Sequence, residues 1–206
     1  IQSERAEYQD FAVLYRTNAQ SRALEEALRR RNLPYMIYAG NSFFEGAEVK
    51  DMMAYFKLVV NINDDESFKR IVNKPTRGIG DTSLSALTAA ASNHKTSLFK
   101  AAFAEDLEQF GLKQAAIKKI REFCNMIGSL TLKANEMNAH DIAKKIADES
   151  GLYMFYKMDT SIEGQSRTAN VEELVDSIKL FIEEKHGEYI EELQAEGQLS
   201  DGVELA

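Results

Sequence analysis

The sequence predicts a mostly α-helical fold with a small α/β piece at the N-terminal end. Two observations predict this class. From Ala47 to Ile182 apolar residues recur at helical spacing, and the whole chain contains only two prolines to interrupt helices. Before Ala47, two short apolar runs of strand character flank one amphipathic helix. We therefore expect a partial βαβ unit within residues 1–65 and an all-helical domain over residues 66–206.

The N-terminal region has the pattern of a strand, a helix and a second strand. Phe11–Tyr15 is a short apolar run typical of a strand, and Ala19–Arg31 has alanines and leucines on one face and arginines opposite. Pro34 ends the helix, and Tyr35–Ala39 is a second strand closed by Gly40. This order indicates a parallel sheet. Because two strands do not make a stable sheet alone, the missing strands must come from a longer parent chain or another molecule.

Helical signals follow one another through the rest of the chain. A first helix has one apolar stripe, formed by Val49, Met52, Met53, Phe56, Val59 and Val60. Asp64 or Asp65 caps a short helix that Pro75 ends. Asp81 or Thr82 begins the next one. Further helices are predicted from apolar residues in register within Leu112–Ile127, Asp141–Glu149 and Val171–Ile182.

Net charge and its distribution argue in opposite directions about nucleic acid. The formal net charge of −8 argues against a protein that coats nucleic acid by bulk charge. Many acids lie beyond Glu183, and we expect the tail from Gly187 to be loosely ordered. The span Phe68–Gly80, by contrast, has no acid and four basic residues, Lys69, Arg70, Lys74 and Arg77. A local basic patch is therefore expected there.

The sequence offers no metal site and no targeting segment. Cys124 is the only cysteine, which rules out an intrachain disulfide and any Cys/His metal spacing. The histidines are far apart and lie among polar residues. There is no signal peptide and no apolar run of transmembrane length. We therefore expect no bound metal, no membrane association and a cytoplasmic location.

Motifs for nucleotide chemistry are absent from the sequence. There is no G-x-x-x-x-G-K-[ST] loop to cradle a triphosphate, and no Asp-Glu pair at a strand end to hold magnesium. No Ser/His/Asp or Cys/His arrangement indicates nucleophilic catalysis. We therefore expect no catalytic residue and no cofactor in this chain alone.

The segment TRGIG, Thr76–Gly80, is the clearest binding signal. Its glycines let the backbone approach a ligand closely, and it directly precedes a helix start, where amide groups favour an anion. Arg77 adds a fork that fits phosphate oxygens. One difficulty is Asp81, whose carboxylate would remove some of these donors if it capped the helix. The alternative is a tight turn between helices in which Ile79 fills the core. The candidate contacts to a duplex backbone are Thr76, Arg77, Gly78, Ile79, Gly80 and Thr82.

A second group of candidates lies around the predicted strands. Polar residues after the first strand lie where α/β folds bind ligands, although Thr17, Asn18 or Ser21 would also serve as a helix cap. Two aromatics after Gly40 have the character of a stacking platform for single-stranded bases, or of a pair that is half core and half surface. The candidates are Arg16, Asn18, Gly40, Phe43, Phe44 and Lys50.

Three motifs, YRTNAQSR, GNSFFEGAEVKD and TRGIG, resemble in sequence and order those of the UvrD/PcrA/Rep family of superfamily 1 DNA helicases. The resemblance is close over Phe11–Thr82 and thinner over Ser166–Phe181. It implies that residues 1–65 are part of a RecA-like motor subdomain, 2A, and that residues 66–206 are its helical insertion, 2B. It also implies that Gly40–Asp51 lies near the single strand and that Thr76–Gly80 touches duplex DNA.

The resemblance implies a parent enzyme that unwinds DNA from 3′ to 5′ with ATP and Mg²⁺, in repair or replication. Its implied partners are a single-strand/duplex junction, the other helicase subdomains and repair proteins. The family's nucleotide-binding half precedes the region of Phe11, and a threonine-histidine motif follows the region of Val203–Ala206, so we expect a cut piece that does not hydrolyse ATP. Two alternatives stay open: a regulatory, partner-binding module, and part of a helicase–nuclease.

Overall fold

A succession of α-helices makes up most of the chain. The computed structural model describes residues 7–16, 18–37 and 43–195. Its helices are α1 Asn18–Arg30, α2 Ala47–Val60, α3 Asp65–Ile71, α4 Asp81–His94, α5 Leu98–Ala101, α6 Gln114–Ala134, α7 Ala139–Glu149, α8 Leu152–Lys157 and α9 Ile162–Ala195. Short 3₁₀ segments are Tyr8–Asp10, Phe43–Glu45 and Leu107–Phe110. The prediction of a mostly helical protein is confirmed.

Local signals set several helix ends. Asp64 caps α3 by accepting from the Ser67 N–H at 3.0 Å, and this hydrogen bond holds the pKa of Asp64 below its usual value. Asn138 caps α7 by accepting from the Asp141 N–H at 2.9 Å. Gly151 follows α7 with φ +75°, a conformation that favours glycine over every L residue. These caps were within reach of the sequence because each involves neighbouring residues.

The core lies between α2 and the helices α3, α6 and α9 that pack around it. α2 contributes Met52, Tyr55 and Leu58, which are fully buried. Phe68 of α3 and Phe123 of α6 meet edge to face, with ring centroids 5.3 Å apart. Burying one large apolar side chain contributes about 1.5–3 kcal/mol, so this cluster holds the turn between α3 and α4 in place.

α1 joins the helical part through buried polar groups. The Glu25 carboxylate is buried and accepts from the Ser21 hydroxyl at 3.0 Å and from the Phe43 N–H at 2.9 Å. The Arg22 guanidinium pairs with Glu173 of α9 at 2.8 Å. A buried charge needs such partners, so α1 is tied to α9 rather than to a sheet.

The two predicted strands do not form in the described residues. Phe11 has extended backbone angles, φ −111° and ψ 137°, but Phe11–Tyr15 makes no ladder. The described part of Tyr35–Ala39 is likewise without regular structure, and Tyr38 and Ala39 lie outside the described residues. The side chain of Leu14 is 94% exposed. A strand cannot satisfy the hydrogen bonds of its own backbone, so a strand-like pattern forms no ladder without a neighbouring strand.

Two further expectations need comment. The tail predicted to be loose from Gly187 continues as helix α9 to Ala195, because its glutamates, one leucine and one alanine favour helix strongly enough to offset one glycine. Residues 196–206 lie outside the described part. The domain division at residue 65 stays a prediction, although α2, placed in the first unit, packs on α3, α6 and α9.

Candidate nucleic-acid interface

The turn between α3 and α4 is held together by one asparagine side chain. The Asn73 Oδ1 atom accepts from the Arg77 N–H at 2.8 Å and from the Ile79 N–H at 3.1 Å. Ile79 is buried, with 2% of its surface exposed. The predicted alternative, a tight turn in which Ile79 fills the core, therefore describes the inner side of this segment.

The outer side of the same turn faces solvent. Thr76, Gly78, Gly80 and Thr82 are all exposed. Gly78 has φ +70°, which a residue with a side chain adopts only under strain, whereas Gly80 has the ordinary extended angles φ −86° and ψ 172°. The turn thus presents backbone outward while its one large apolar side chain points inward.

The amides at the start of α4 are available to a ligand. Gly80 is the N-cap residue, and it makes no side-chain cap. Within the described residues, the N–H groups of Gly78, Gly80, Asp81 and Thr82 have no acceptor. Asp81 is exposed and does not cap α4 with its own carboxylate, so it does not compete for these donors. Free amides at a helix start favour an anion, and Asp81 opposes it by repulsion.

The Arg77 guanidinium points into the protein, away from this outer face. Its Nη1 atom lies 2.9–3.4 Å from four backbone oxygens, those of Ile71, Val72, Lys74 and Pro75. Its Nη2 atom donates to the Tyr55 hydroxyl at 2.7 Å and to the Ser150 carbonyl at 2.9 Å. The side chain therefore gathers the end of α3, the turn, α2 and the end of α7 around one positive charge.

Aromatic rings complete the surroundings of Arg77. The guanidinium carbon lies 5.1 Å from the Phe123 ring centroid, within the range of a cation–π contact. The Tyr55 hydroxyl accepts from Arg77 and donates to the Lys74 carbonyl. Burial raises the pKa of Tyr55 to about 12, because a phenolate would lose hydration there, and the neighbouring Arg77 opposes that rise only in part. Tyr55 is thus a neutral donor that helps to fix the turn.

The basic patch predicted over Phe68–Gly80 is largely paired within the protein. Arg70 lies 2.7 Å and Lys74 3.4 Å from the buried Asp51 carboxylate, and Lys69 lies 2.8 Å from Glu66. Tyr156 of α8 also donates to Asp51, at 3.0 Å. The acids come from outside the counted segment, which is why the sequence suggested a larger excess of positive charge than the surface carries.

The residues predicted to meet a single strand are only partly gathered. Phe43 is buried, and Phe44 packs against it edge to face with centroids 5.2 Å apart. The Arg29 guanidinium of α1 stacks 5.0 Å from the Phe44 ring. Lys50 pairs with Glu45. The pair is therefore half core and half surface, the second of the two predicted arrangements.

The remaining candidates of this group lie nearer the N-terminus. Arg16 is exposed, and its N–H donates to the Gln20 side chain at 2.9 Å. Asn18 begins α1, but its side chain lies outside the described part, as does Gly40. Among the described residues, no hydrogen bond or ion pair joins Arg16 to the turn after α3.

Sequence reasoning missed residues that build the turn. Asn73, Tyr55 and Ser150 fix its shape, and the Lys119 ammonium of α6 lies beside Gly78, 2.5 Å from the position a Cβ would take there. Asn73 lay within a turn-like cluster with Pro75 and was open to recognition as a local acceptor. The other three are distant in sequence and gave no signal.

Within residues 7–16, 18–37 and 43–195, no group of His, Cys, Asp and Glu side chains is arranged to hold a metal ion. Over the same ranges no helix has both the length and the apolar character needed to cross a bilayer. The candidate binding surface is the outer face of the Thr76–Gly80 turn. It presents the Gly78 and Gly80 amides, which have no acceptor among the described residues, and the adjacent Lys119 ammonium.

Similarity to known proteins extends over nearly the whole chain. Residues 1–204 match the UvrD-like helicase C-terminal domain. The chain belongs to the UvrD-like helicase family. It is 39% identical over 184 residues to DNA helicase II of Escherichia coli strain K12, and 40% identical over 186 residues to DNA helicase II of Haemophilus influenzae. It is 34% identical over 168 residues to the ATP-dependent DNA helicase PcrA of Staphylococcus aureus strain Mu50.

These matches cover most of this chain but little of the relatives. They span 89%, 90% and 82% of the chain, against 25%, 25% and 23% of the three helicases. The chain thus spans about a quarter of the length of the curated relatives it matches. Membership of the UvrD-like family therefore applies to a helicase C-terminal region, and the activity of a whole helicase is a separate matter.

Proposed function

We propose that this chain is the part of an ATP-dependent 3′-to-5′ DNA helicase that holds duplex DNA, by its backbone, ahead of the fork. The supporting observation is the two-sided turn after α3. Its inner side is fixed by Asn73, Ile79 and Arg77, and its outer side presents unpaired amides at Gly78 and Gly80. A rigid loop of this kind binds phosphate without reading sequence.

The mechanism follows from preorganisation. Because Arg77 and Asn73 already hold the turn, a phosphate would meet amides that need no rearrangement, and little ordering entropy is lost on binding. Contacts to the DNA sugar–phosphate backbone alone give weak affinity, which falls as the salt concentration rises. Such a grip suits a protein that must release and rebind the duplex as a motor advances.

The rest of the parent enzyme is part of the same proposal. We infer that the N-terminal residues complete a RecA-like motor subdomain with strands from the rest of the parent, which would bind ATP and Mg²⁺. Phe44, Arg16, Asn18, Gly40 and Lys50 are proposed to lie along the single-strand track. A role in repair or replication, a cytoplasmic location and repair partners stay predictions. A helicase–nuclease parent is the alternative.

Gly80 offers a sharp test, because a Cβ there would meet nothing within 4 Å. Gly80→Asp places a carboxylate at the N-cap, where aspartate stabilises helices, but that carboxylate would face the bound phosphate. Two like charges 4 Å apart repel by about 1 kcal/mol in bulk water and about 4 kcal/mol near a protein surface, so affinity for duplex should fall about fivefold or more. Fluorescence anisotropy with a labelled forked duplex measures it.

Gly80→Asn is the matched control, because asparagine caps equally well and has the same shape without the charge. Thermal unfolding should show that both variants are at least as stable as the unsubstituted chain. If Gly80→Asp and Gly80→Asn bind duplex with equal affinity, or if the unsubstituted chain does not bind duplex at all, the proposed contact is wrong.

A second role, as a regulatory or partner-binding module, is favoured by exposed apolar side chains near the junction of α8 and α9. Met158 is 78% and Ile162 89% exposed, and Met154 is half exposed. Exposed apolar groups of this kind mark interaction sites when they are contiguous. A pull-down against purified repair proteins distinguishes this role, because its result should not change in Gly80→Asp.

A further inference from the structure

The observation that carries the inference is the position of Lys119. Its ammonium lies 2.5 Å from the place where a Cβ on Gly78 would be, although the two residues are distant in sequence. Its φ of +70° favours glycine at position 78, and a side chain there would displace the flexible Lys119 ammonium from its present place. Lys119 therefore lies beside Gly78, which is exposed and whose N–H has no acceptor among the described residues.

The direction of Lys119 follows from the way α6 packs. Phe123, one helical turn further along, lies under the Arg77 guanidinium at 5.1 Å. Residues four apart share one face of a helix, so Lys119 and Phe123 both face the turn. Phe123 meets its inner side and Lys119 reaches its outer side. The lysine is thus placed by the same packing that buries Phe123.

The charge of Lys119 is not neutralised by a described acid. Lys119 is exposed, and within the part of the chain that the structure describes it makes no ion pair. Its neighbours on α6 are engaged: Lys118 lies 4.0 Å from Glu122, and Arg121 donates to backbone carbonyls at 3.0 Å. Arg77, the cation of the motif itself, has its donors directed at carbonyls inside the protein.

We propose that Lys119 supplies the positive charge that binds a duplex phosphate at this turn, in the role the sequence suggested for Arg77. The ligand is a phosphodiester of the DNA backbone, held by the amides of Gly78 and Gly80 on one side and by the Lys119 ammonium on the other. This inference rests on the proposed function. Lys119 is a binding residue, and Arg77 is a positioning residue that acts through the shape of the turn.

The test compares Lys119→Gln with the matched control Lys118→Gln, which removes the adjacent, exposed charge from the same helix. Duplex and single-stranded DNA of equal length are titrated by anisotropy at several potassium chloride concentrations. Losing one phosphate contact reduces the slope of log K against log salt by about 0.9, so the defect of Lys119→Gln should shrink about 3.5-fold from 50 to 200 mM salt. Lys118→Gln should leave the slope unchanged.

Two further measurements separate a specific contact from general loss of charge. Lys119→Arg should restore most of the duplex affinity, because it retains the charge, and single-strand affinity should not change in Lys119→Gln. Amine acetylation followed by mass spectrometry should show that duplex protects Lys119 and leaves Lys118 reactive. This second readout needs no variant.

The outcomes separate this inference from the proposed function. If Gly80→Asp weakens duplex binding but Lys119→Gln behaves like Lys118→Gln, the turn binds DNA and the role given to Lys119 is wrong. If the unsubstituted chain does not bind duplex, or if Gly80→Asp does not change duplex affinity, the proposed function is wrong and the role of Lys119 is wrong with it. Protection of both lysines to the same extent also contradicts the inference.

Discussion

The two predicted N-terminal strands and the Thr76–Gly80 turn lie within the same stretch of family resemblance, Phe11–Thr82, yet the rest of the chain supports them very differently. Phe11–Tyr15 makes no ladder, and Leu14 is 94% exposed. The turn, by contrast, is held by contacts from α2, α3, α6 and α7. The difference teaches that a segment adopts its predicted structure only where other parts of the chain pack against it or hydrogen-bond with it. Strands need partners, and turns need a scaffold.

The largest effect should come from removing the scaffold of the turn. Arg77→Ala leaves several carbonyls without their charged donor, and hydrogen bonds to charged groups contribute about 1.5–3 kcal/mol each without adding up fully. We expect a loss of about 3 kcal/mol in the free energy of unfolding, measured by urea denaturation. Arg77→Lys keeps the charge but not the fork, and should lose less.

The same variant distinguishes an inward from an outward arginine. A surface arginine that only touched DNA would change stability by less than about 0.5 kcal/mol on substitution. Suppose that Arg77→Ala changes the free energy of unfolding by less than about 0.5 kcal/mol and still weakens duplex binding at temperatures where the variant is folded. The arginine would then face the DNA, and the scaffold described for it would be wrong.

A smaller effect is expected from titrating Tyr55. Its pKa rises from 10.0 unfolded to about 12 in the folded protein, so the native state binds the proton more tightly. Stability from the neutral phenol is complete below pH 10 and is lost as pH rises from about 10 to 12, by about 1–3 kcal/mol. Urea denaturation across this pH range measures the slope.

Tyr55→Phe removes the titrating group and keeps the ring, so its unfolding free energy should fall less steeply over the same pH range. A residual slope is expected, because burial also raises the pKa of Tyr156 and of the Cys124 thiol. Equal slopes in the two proteins would mean that Tyr55 does not stabilise the turn as a neutral donor.

The smallest effect should come from the N-terminal segment. Leu14→Ser replaces a side chain that is almost fully exposed among the described residues, and we expect a change within about 0.5 kcal/mol in the free energy of unfolding. Urea denaturation of this chain measures it. A loss above about 1.5 kcal/mol would show that the segment is packed, and the contrast with the turn would disappear.

The helical fold was largely predictable because its signals are local. The Asp64 cap, the stop at Gly151 and the apolar register of α6 each depend on residues within a few positions of one another. The strands were not, because a ladder depends on a partner segment. Pattern alone cannot say whether that partner is present.

The candidate site was predictable in position and not in chemistry. Thr76–Gly80 is exposed on one side as expected, and Ile79 fills the core as the alternative reading expected. The sequence suggested that Arg77 binds phosphate, because the guanidinium fits phosphate oxygens well. It fits a cluster of carbonyls equally well, and only the ends of α3 and α7 show that such a cluster surrounds it.

The sequence by itself determined the family and most of the helices, because these follow from motif order and short-range periodicity. The tertiary structure decided that Arg77 turns inward and that Lys119 reaches the outer face of the turn. The physical reason is range. Caps and periodicity act within one or two helical turns, whereas the direction of a long side chain depends on which distant backbone and charges surround it.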